Sequence, residues 1–326
     1  MDLSGFKKNK AFSFNIIFII AAVIIVVFAG NCTVSPSTMT QDGHIIVASI
    51  LPIVEFASKV GGEKIDVFEM IPPGASPHTY EPTPGQLEKV SKAGMYLAVG
   101  SGIEFEIVWL DKIIAINDDM MLVDCSKGIE LIEISQNPET KNGDDKGRAG
   151  GQEISGGLED DHEGSGKDPH IWLSPKNAAV MVENIYLGLS AMDPDNEDYF
   201  YDNKVDFLDE LEMLDRKITE ILLEKTRRKI LVFHPSWAYF ARDYGLEQTV
   251  VEEDGKEPSP KGMANLIDQA KESGIKVVFA SPEFSQKSAE VIAGEIGGEV
   301  VLISPLARDY VKNLINIAEA FKESMD

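Results

Sequence analysis

The chain has 326 residues, of which 54 are acidic and 30 basic, giving a formal net charge of −24, and 44% of its residues are apolar. The length points to two domains rather than one, and the apolar share excludes an intrinsically disordered chain. The acidity argues against a nucleic-acid partner, which requires a basic face; it reads as solubility and suits an extracytoplasmic protein that meets cations.

At the N-terminus, Lys7, Lys8 and Lys10 precede a nearly uncharged apolar run over residues 16–29, and Cys32 follows at once. That run has the length of a signal-peptide core. Residues 1–32 are therefore expected to be a signal or lipoprotein-type anchor, with a lipid on Cys32. Asn31 stands where a small residue usually precedes such a cysteine, so an uncleaved anchor and simple secretion remain as alternatives. Cys125 is the only other cysteine. With Cys32 modified, no intrachain disulfide can form, and stability rests on packing. Residues 33–43 are polar, include Pro36, and read as a tether.

Beyond the tether, strands are expected over 44–50, 64–71, 95–100 and 120–124. They alternate with helices over 51–60, 83–93 and 104–116, the second of these opened by Thr83 and Pro84. Alternation with short connections implies a parallel α/β sheet, and residues 44–172 form the N-terminal lobe. Residues 135–167 break the pattern with glycine pairs and acidic clusters. This segment is expected to be a mobile acidic loop: either a passive surface insertion or a weak cation-collecting flap with His162 among carboxylates. Ser174 and Pro175 then open a linking helix, residues 173–195, as N-cap and first helical residue. Asp193-Pro194-Asp195 stops it. Residues 196–326 form the C-terminal lobe. A long helix to about residue 227 carries Phe200, Val205, Leu208, Leu211, Leu214 and Ile218 at core-facing spacing. Strands over 229–233, 248–252, 276–281 and 299–303 follow, with helices over 261–273, 285–296 and 308–322. The expected fold class is α/β, with two lobes each holding a four-stranded, mostly parallel sheet, joined by one long linking helix that acts as a stiff spine.

Three of the five histidines adjoin a proline: His78 in Ser76-Pro77-His78, His170 in Asp168-Pro169-His170, and His234 in Phe233-His234-Pro235. His78 and His234 each follow an expected strand, one per lobe, and ligands of open parallel sheets bind beyond strand C-terminal ends. His170 lies between the lobes. Prolines fix the backbone, so each imidazole is held with little ordering cost. Taken alone, each histidine reads as structural; together, in matching contexts, they read as one metal site. Three neutral imidazoles favour zinc, whereas manganese and iron(II) are better served by oxygen. Trp172 and Trp237 flank ligands and either dry the cleft or simply pack. Tyr80 and Glu81 either orient an imidazole or sit at the surface.

These segments resemble one family. The residues 72–84 (PPGASPHTYEPTP), 168–175 (DPHIWLSP), 233–245 (FHPSWAYFARDYG), 257–260 (EPSP) and 281–289 (SPEFSQKSA) are similar to the metal-binding, zinc- and manganese-type solute-binding proteins of ABC importers, the cluster A-I, zinc-uptake or TroA-like family. The resemblance runs from about residue 44 to 317. It implies two α/β lobes joined by one long helix, with the metal between them, and His78, His170 and His234 as ligands. It also implies a histidine- or acid-rich loop before the second ligand, where this chain has residues 135–167. The family's fourth ligand is typically an aspartate in an Asp-Pro-Leu segment; here the segment reads Ser304-Pro305-Leu306. A hydroxyl is a poor zinc ligand, so water or Glu283 is expected to complete the site, with manganese disfavoured.

The resulting expectation is an extracytoplasmic, non-enzymatic receptor. It captures a divalent transition metal, Zn2+ with Mn2+ as the alternative, and delivers it to an ABC permease. It is expected to be a monomer on the outer face of the cell membrane, held through its N-terminal anchor. A manganese or iron receptor and a metal-dependent adhesin are the alternatives. A zinc hydrolase also fits three histidines plus an open water position, but the sequence carries no H-E-x-x-H helix and no nucleophile elbow.

Overall fold

The computed structural model describes residues 45–134, 166–252, 256–284 and 286–325. The expected anchor, the tether, Cys32 and residues 135–165 of the acidic loop, His162 among them, lie outside the described residues.

Two four-stranded parallel sheets form the frame. In the first, β1 (Ile45–Ala48), β2 (Asp66–Glu69), β3 (Met95–Ala98) and β4 (Met121–Asp124) lie in the order β2-β1-β3-β4. The connecting helices are α1 (Leu51–Gly61), α2 (Pro84–Val90) and α3 (Glu104–Ile114). In the second, β5 (Lys229–Val232), β6 (Glu247–Val250), β7 (Val277–Ala280) and β8 (Glu299–Leu302) repeat that order as β6-β5-β7-β8. The central strands β1, β3, β5 and β7 are almost wholly buried, as continuous apolar runs in parallel sheets should be. The edges are more polar: β2 reads DVFE and β6 reads EQTV.

Between the two sheets in the chain order come α4 (Pro175–Met192) and α5 (Glu197–Leu222). Ser174 caps α4 by accepting from the Asn177 amide at 3.1 Å, and Pro175 fills the first turn, as its missing N–H allows. The helix α5 is 26 residues long, and its stripe of Phe200, Phe207, Leu211, Leu214, Ile218 and Ile221 is buried. Val205 instead is 37% exposed, one step off that stripe. The helix α5 packs on α4, on α1 of the first lobe, and on the C-terminal helix α9 (Tyr310–Ser324) of the second.

Element by element, the observed strands are shorter than the expected ones, and β6 also begins one residue earlier, at Glu247. The structure also adds a helix that no periodicity announced: α6 (Ala238–Tyr244), only 7 residues long, ending at Gly245 in the left-handed region. The remaining helices, α7 (Pro260–Glu272) and α8 (Lys287–Ile296), flank β7. Lys167 belongs to an ordered clamp rather than to the acidic loop. It bridges Glu133 in antiparallel fashion, and Asp168 N donates to Ile132 O at 2.8 Å.

Candidate metal centre

The histidine loops are built before any ligand is considered. After β2 the chain turns through the proline segment, where Tyr80 N donates to Ser76 O at 3.1 Å. Thr83 and Gln86 form a reciprocal capping box at the start of α2. Gln86 also reaches back: its amide donates to Met70 O at 2.6 Å, and its carbonyl accepts from the Tyr80 hydroxyl at 2.8 Å. One glutamine thus fastens both ends of the loop that carries His78. Tyr80 therefore braces that loop and does not orient the imidazole.

The loop with His170 is tied from several sides. Ser101 Oγ donates to Pro169 O at 2.5 Å and Tyr239 Oη to Asp168 O at 2.7 Å. Trp172 Nε1 donates to Pro305 O at 2.7 Å, and Tyr310 Oη to Trp172 O at 2.7 Å. His234 lies two residues past the end of β5, and the Ser236 amide closes on its carbonyl at 2.8 Å.

The three imidazoles come together. The rings of His78 and His234 have centroids 4.9 Å apart and those of His170 and His234 5.3 Å apart, both pairs edge to face. Phe284 lies against two of them, at 4.8 Å from His234 and 5.5 Å from His78. All three histidines, with Trp172, Glu104 and Glu283, line one cavity of about 20 Å³, the size of a single water or ion. Trp237, by contrast, packs against Phe240 and Phe321 in the core of the second lobe and is absent from the cavity wall. Only Trp172 of the two tryptophans keeps the cleft dry.

Each imidazole has its own carboxylate. His78 Nδ1 meets Glu104 Oε1 at 2.9 Å, His170 Nδ1 meets Asp168 Oδ1 at 2.8 Å, and His234 Nδ1 meets Glu252 Oε2 at 2.6 Å. A carboxylate only accepts, so each Nδ1 carries the proton and the Nε2 lone pair is the ring's remaining donor to a ligand. At His234 that Nε2 is buried and has no hydrogen-bond partner, which a buried polar atom rarely tolerates without a function. Burial lowers the pKa of His234, the Glu252 hydrogen bond opposes it, and a proton on either neighbouring imidazole would lower it further. The carboxyl of Glu104 is raised by burial, but the hydrogen bond and charge of His78 outweigh this, and its pKa falls below the usual value. The His78 and Glu104 side chains remain 27% and 47% exposed, against 9% and 11% for His234 and Glu252. His78 is therefore on the open lip and His234 at the back.

Among the described residues, no group of three or more His, Cys, Asp and Glu side chains already stands in a geometry that holds a metal ion. The donor atoms are gathered in one cavity but not drawn onto one point.

The carboxylates behind the rings were not expected from sequence. Asp168 had a readable signal, two residues before its histidine in Asp-Pro-His. Glu104 and Glu252 had none, because each reaches its histidine across the sheet. Glu252 follows β6, the parallel neighbour of β5, and Glu104 opens α3 after β3. Glu81, the local candidate, is not the partner of His78. Ser304 lies beside Glu283, to which its hydroxyl donates at 2.5 Å.

Comparison with known proteins follows the same lines. A family model described as zinc-uptake complex component A, periplasmic (ZnuA), matches residues 46–324. The chain is 29% identical over 303 residues to the high-affinity zinc uptake system protein ZnuA of Bacillus subtilis (strain 168), covering 89% of this chain and 88% of that one. It is 27% identical over 296 residues to the zinc-binding protein AdcA of Streptococcus pyogenes serotype M1, covering 89% of this chain and 56% of that longer protein. A crystal structure of ZnuA superposes with a TM-score of 0.75 at 39% identity, covering 86% of this chain and 99% of that chain. A ZnuA deletion mutant with zinc bound gives the same score and identity, covering 86% of this chain and 98% of that one.

Proposed function

The chain belongs to the zinc-uptake complex component A family, and from that premise we propose that it is an extracytoplasmic zinc receptor whose ligands are His78, His170 and His234. It captures the ion between its lobes and hands it to the permease of an ABC importer, with no chemical step. It works as a monomer held on the outer face of the cell membrane through a lipid on Cys32.

The observation that carries this reading is the set of three histidine–carboxylate pairs around one ion-sized cavity. Carboxylate-backed imidazoles are more basic and are fixed in the tautomer that a metal needs. Three nitrogen donors select a borderline-soft ion such as zinc over manganese. Glu104, Asp168 and Glu252 also place negative charge behind the rings, which attracts a dication without occupying its coordination positions. Capture replaces the ion's water shell with nitrogen, and small side-chain rotations bring the three donors to one point. Release reverses them. The cavity wall of Trp172, Phe284 and Leu306 limits water's competition for the ion.

The test is a competition titration of Zn2+, Mn2+ and Fe2+ against a chromophoric chelator, with His170→Ala alongside. The expected result is submicromolar zinc binding with much weaker manganese, lost in the variant. Equal zinc and manganese affinity would remove the zinc assignment.

A further inference from the structure

The cavity wall carries a carboxylate that the three histidine pairs do not use. Glu283 lies in the loop after β7, beside Phe284, and lines the same cavity as the imidazoles. Its oxygens are held by hydroxyls: Ser304 Oγ donates to Oε1 at 2.5 Å, and Ser281 Oγ donates to Oε2. Ser281 and Ser304 stand just beyond the ends of the paired strands β7 and β8. Ser304 is itself anchored, because its Oγ accepts from Leu306 N at 3.1 Å and its carbonyl accepts from Asn313 Nδ2 at 2.9 Å. Hydroxyl donors orient a carboxylate without neutralising it, and a half-buried negative charge gains when a cation approaches. The cavity's other carboxylate, Glu104, is already committed to His78 Nδ1.

We propose that Glu283 is a fourth donor to the bound ion and that Ser304 and Ser281 are its positioning residues. This rests on the three-histidine reading above. The bound ion then has three nitrogens and one anionic oxygen, a donor set that suits tetrahedral zinc. The replacement of a carboxylate by Ser304 is not a loss: the neighbouring strand supplies the carboxylate, and the serine hydroxyl supports it.

The full chain and its Glu283→Gln, Ser304→Ala and Ser304→Thr variants are titrated with Zn2+ and with Co2+, whose visible bands report the donor set. Glu283→Gln is expected to weaken zinc by at least about 10-fold and to shift the cobalt bands. Ser304→Ala shifts the bands in the same direction by less, and Ser304→Thr, which keeps the hydroxyl, restores them. Unchanged affinity and bands in Glu283→Gln overturn the fourth donor while leaving the three-histidine site standing. A wild-type chain that binds no zinc overturns the receptor reading itself. Should the Glu283→Gln variant fail to fold, the Ser304 pair decides: bands identical in wild type and Ser304→Ala overturn the proposal.

Discussion

At the scale of single residues, the three histidine–carboxylate pairs are not equivalent. His234 and Glu252 are nearly enclosed, whereas His78 and Glu104 face solvent. A buried carboxylate is screened little by water and salt, and an exposed one strongly. Replacing Glu252 by glutamine should therefore weaken zinc binding by about 10–100-fold, because a neutral amide replaces the anionic acceptor that raises the basicity of His234 and can turn its NH2 toward the ring as well as its carbonyl. Glu104→Gln should cost clearly less, and its effect should shrink further as salt is raised. Isothermal titration of both variants at low and high ionic strength measures this; equal losses would mean that burial does not grade the pairs. The same contrast explains what sequence could reveal. The histidines announce themselves by their prolines, and Asp168 by its spacing from His170. Glu104 and Glu252 become partners only through strand order, which no local pattern encodes.

Among the elements, a second buried carboxylate holds the frame on which the lip of the site rests. Glu106 in α3 accepts from Ser49 Oγ at 2.5 Å, from Val99 N at 2.6 Å and from Gly100 N at 3.0 Å. Ser49 also shares a hydrogen bond with Tyr96 Oη at 2.9 Å. The ends of β1 and β3 and the first turn of α3, which bears Glu104, are thereby joined by one side chain. Burial raises the pKa of Glu106 despite those three donors. A carboxyl raised in the folded state contributes stability that is fully present below its unfolded pKa and is lost as pH rises through its folded pKa. The Glu106→Gln variant keeps the volume, lacks the titration, and turns an amide donor toward backbone N–H groups, each unsatisfied contact costing about 1–3 kcal/mol. Its stability deficit relative to wild type, read from urea midpoints, should be greatest near pH 4 and narrow toward neutrality. A deficit that widened with pH would mean that the carboxylate, not the acid, is the favoured buried form. Elements of this kind were legible where apolar runs are long, as in β1 and β3, or where apolar residues recur at helical spacing over many turns, as in α5. The seven-residue α6 was not, because a helix of two turns between a proline loop and a glycine cap shows too little periodicity to separate it from a loop.

For the whole molecule, the question is which of the three histidines moves when the ion enters or leaves. The two sheets do not sit on separate cores. One buried cluster runs from Ile46 and Phe56 through α4 and α5 to Tyr310 and Phe321, and a smaller one fills the space around β7, α7 and α8. The helix α5 packs on α1 and α9 at once, so a wide hinge opening would expose apolar surface at about 25 cal/mol per Å². The segment bearing His170 is hydrogen-bonded to Ser101 on one side and to Tyr239, Pro305 and Tyr310 on the other, and cannot leave without breaking both. The loop of His78 has no regular structure between β2 and α2, and its imidazole is the most exposed of the three. Ion exchange should therefore proceed through local loosening of that loop, with backbone shifts elsewhere of no more than about 1 Å. Hydrogen exchange with and without zinc should show new protection over residues 71–83 and around His234, and none along α4 and α5. Protection spreading through α4 and α5 would instead assign the motion to these two helices, and the shared core would then be the part that yields.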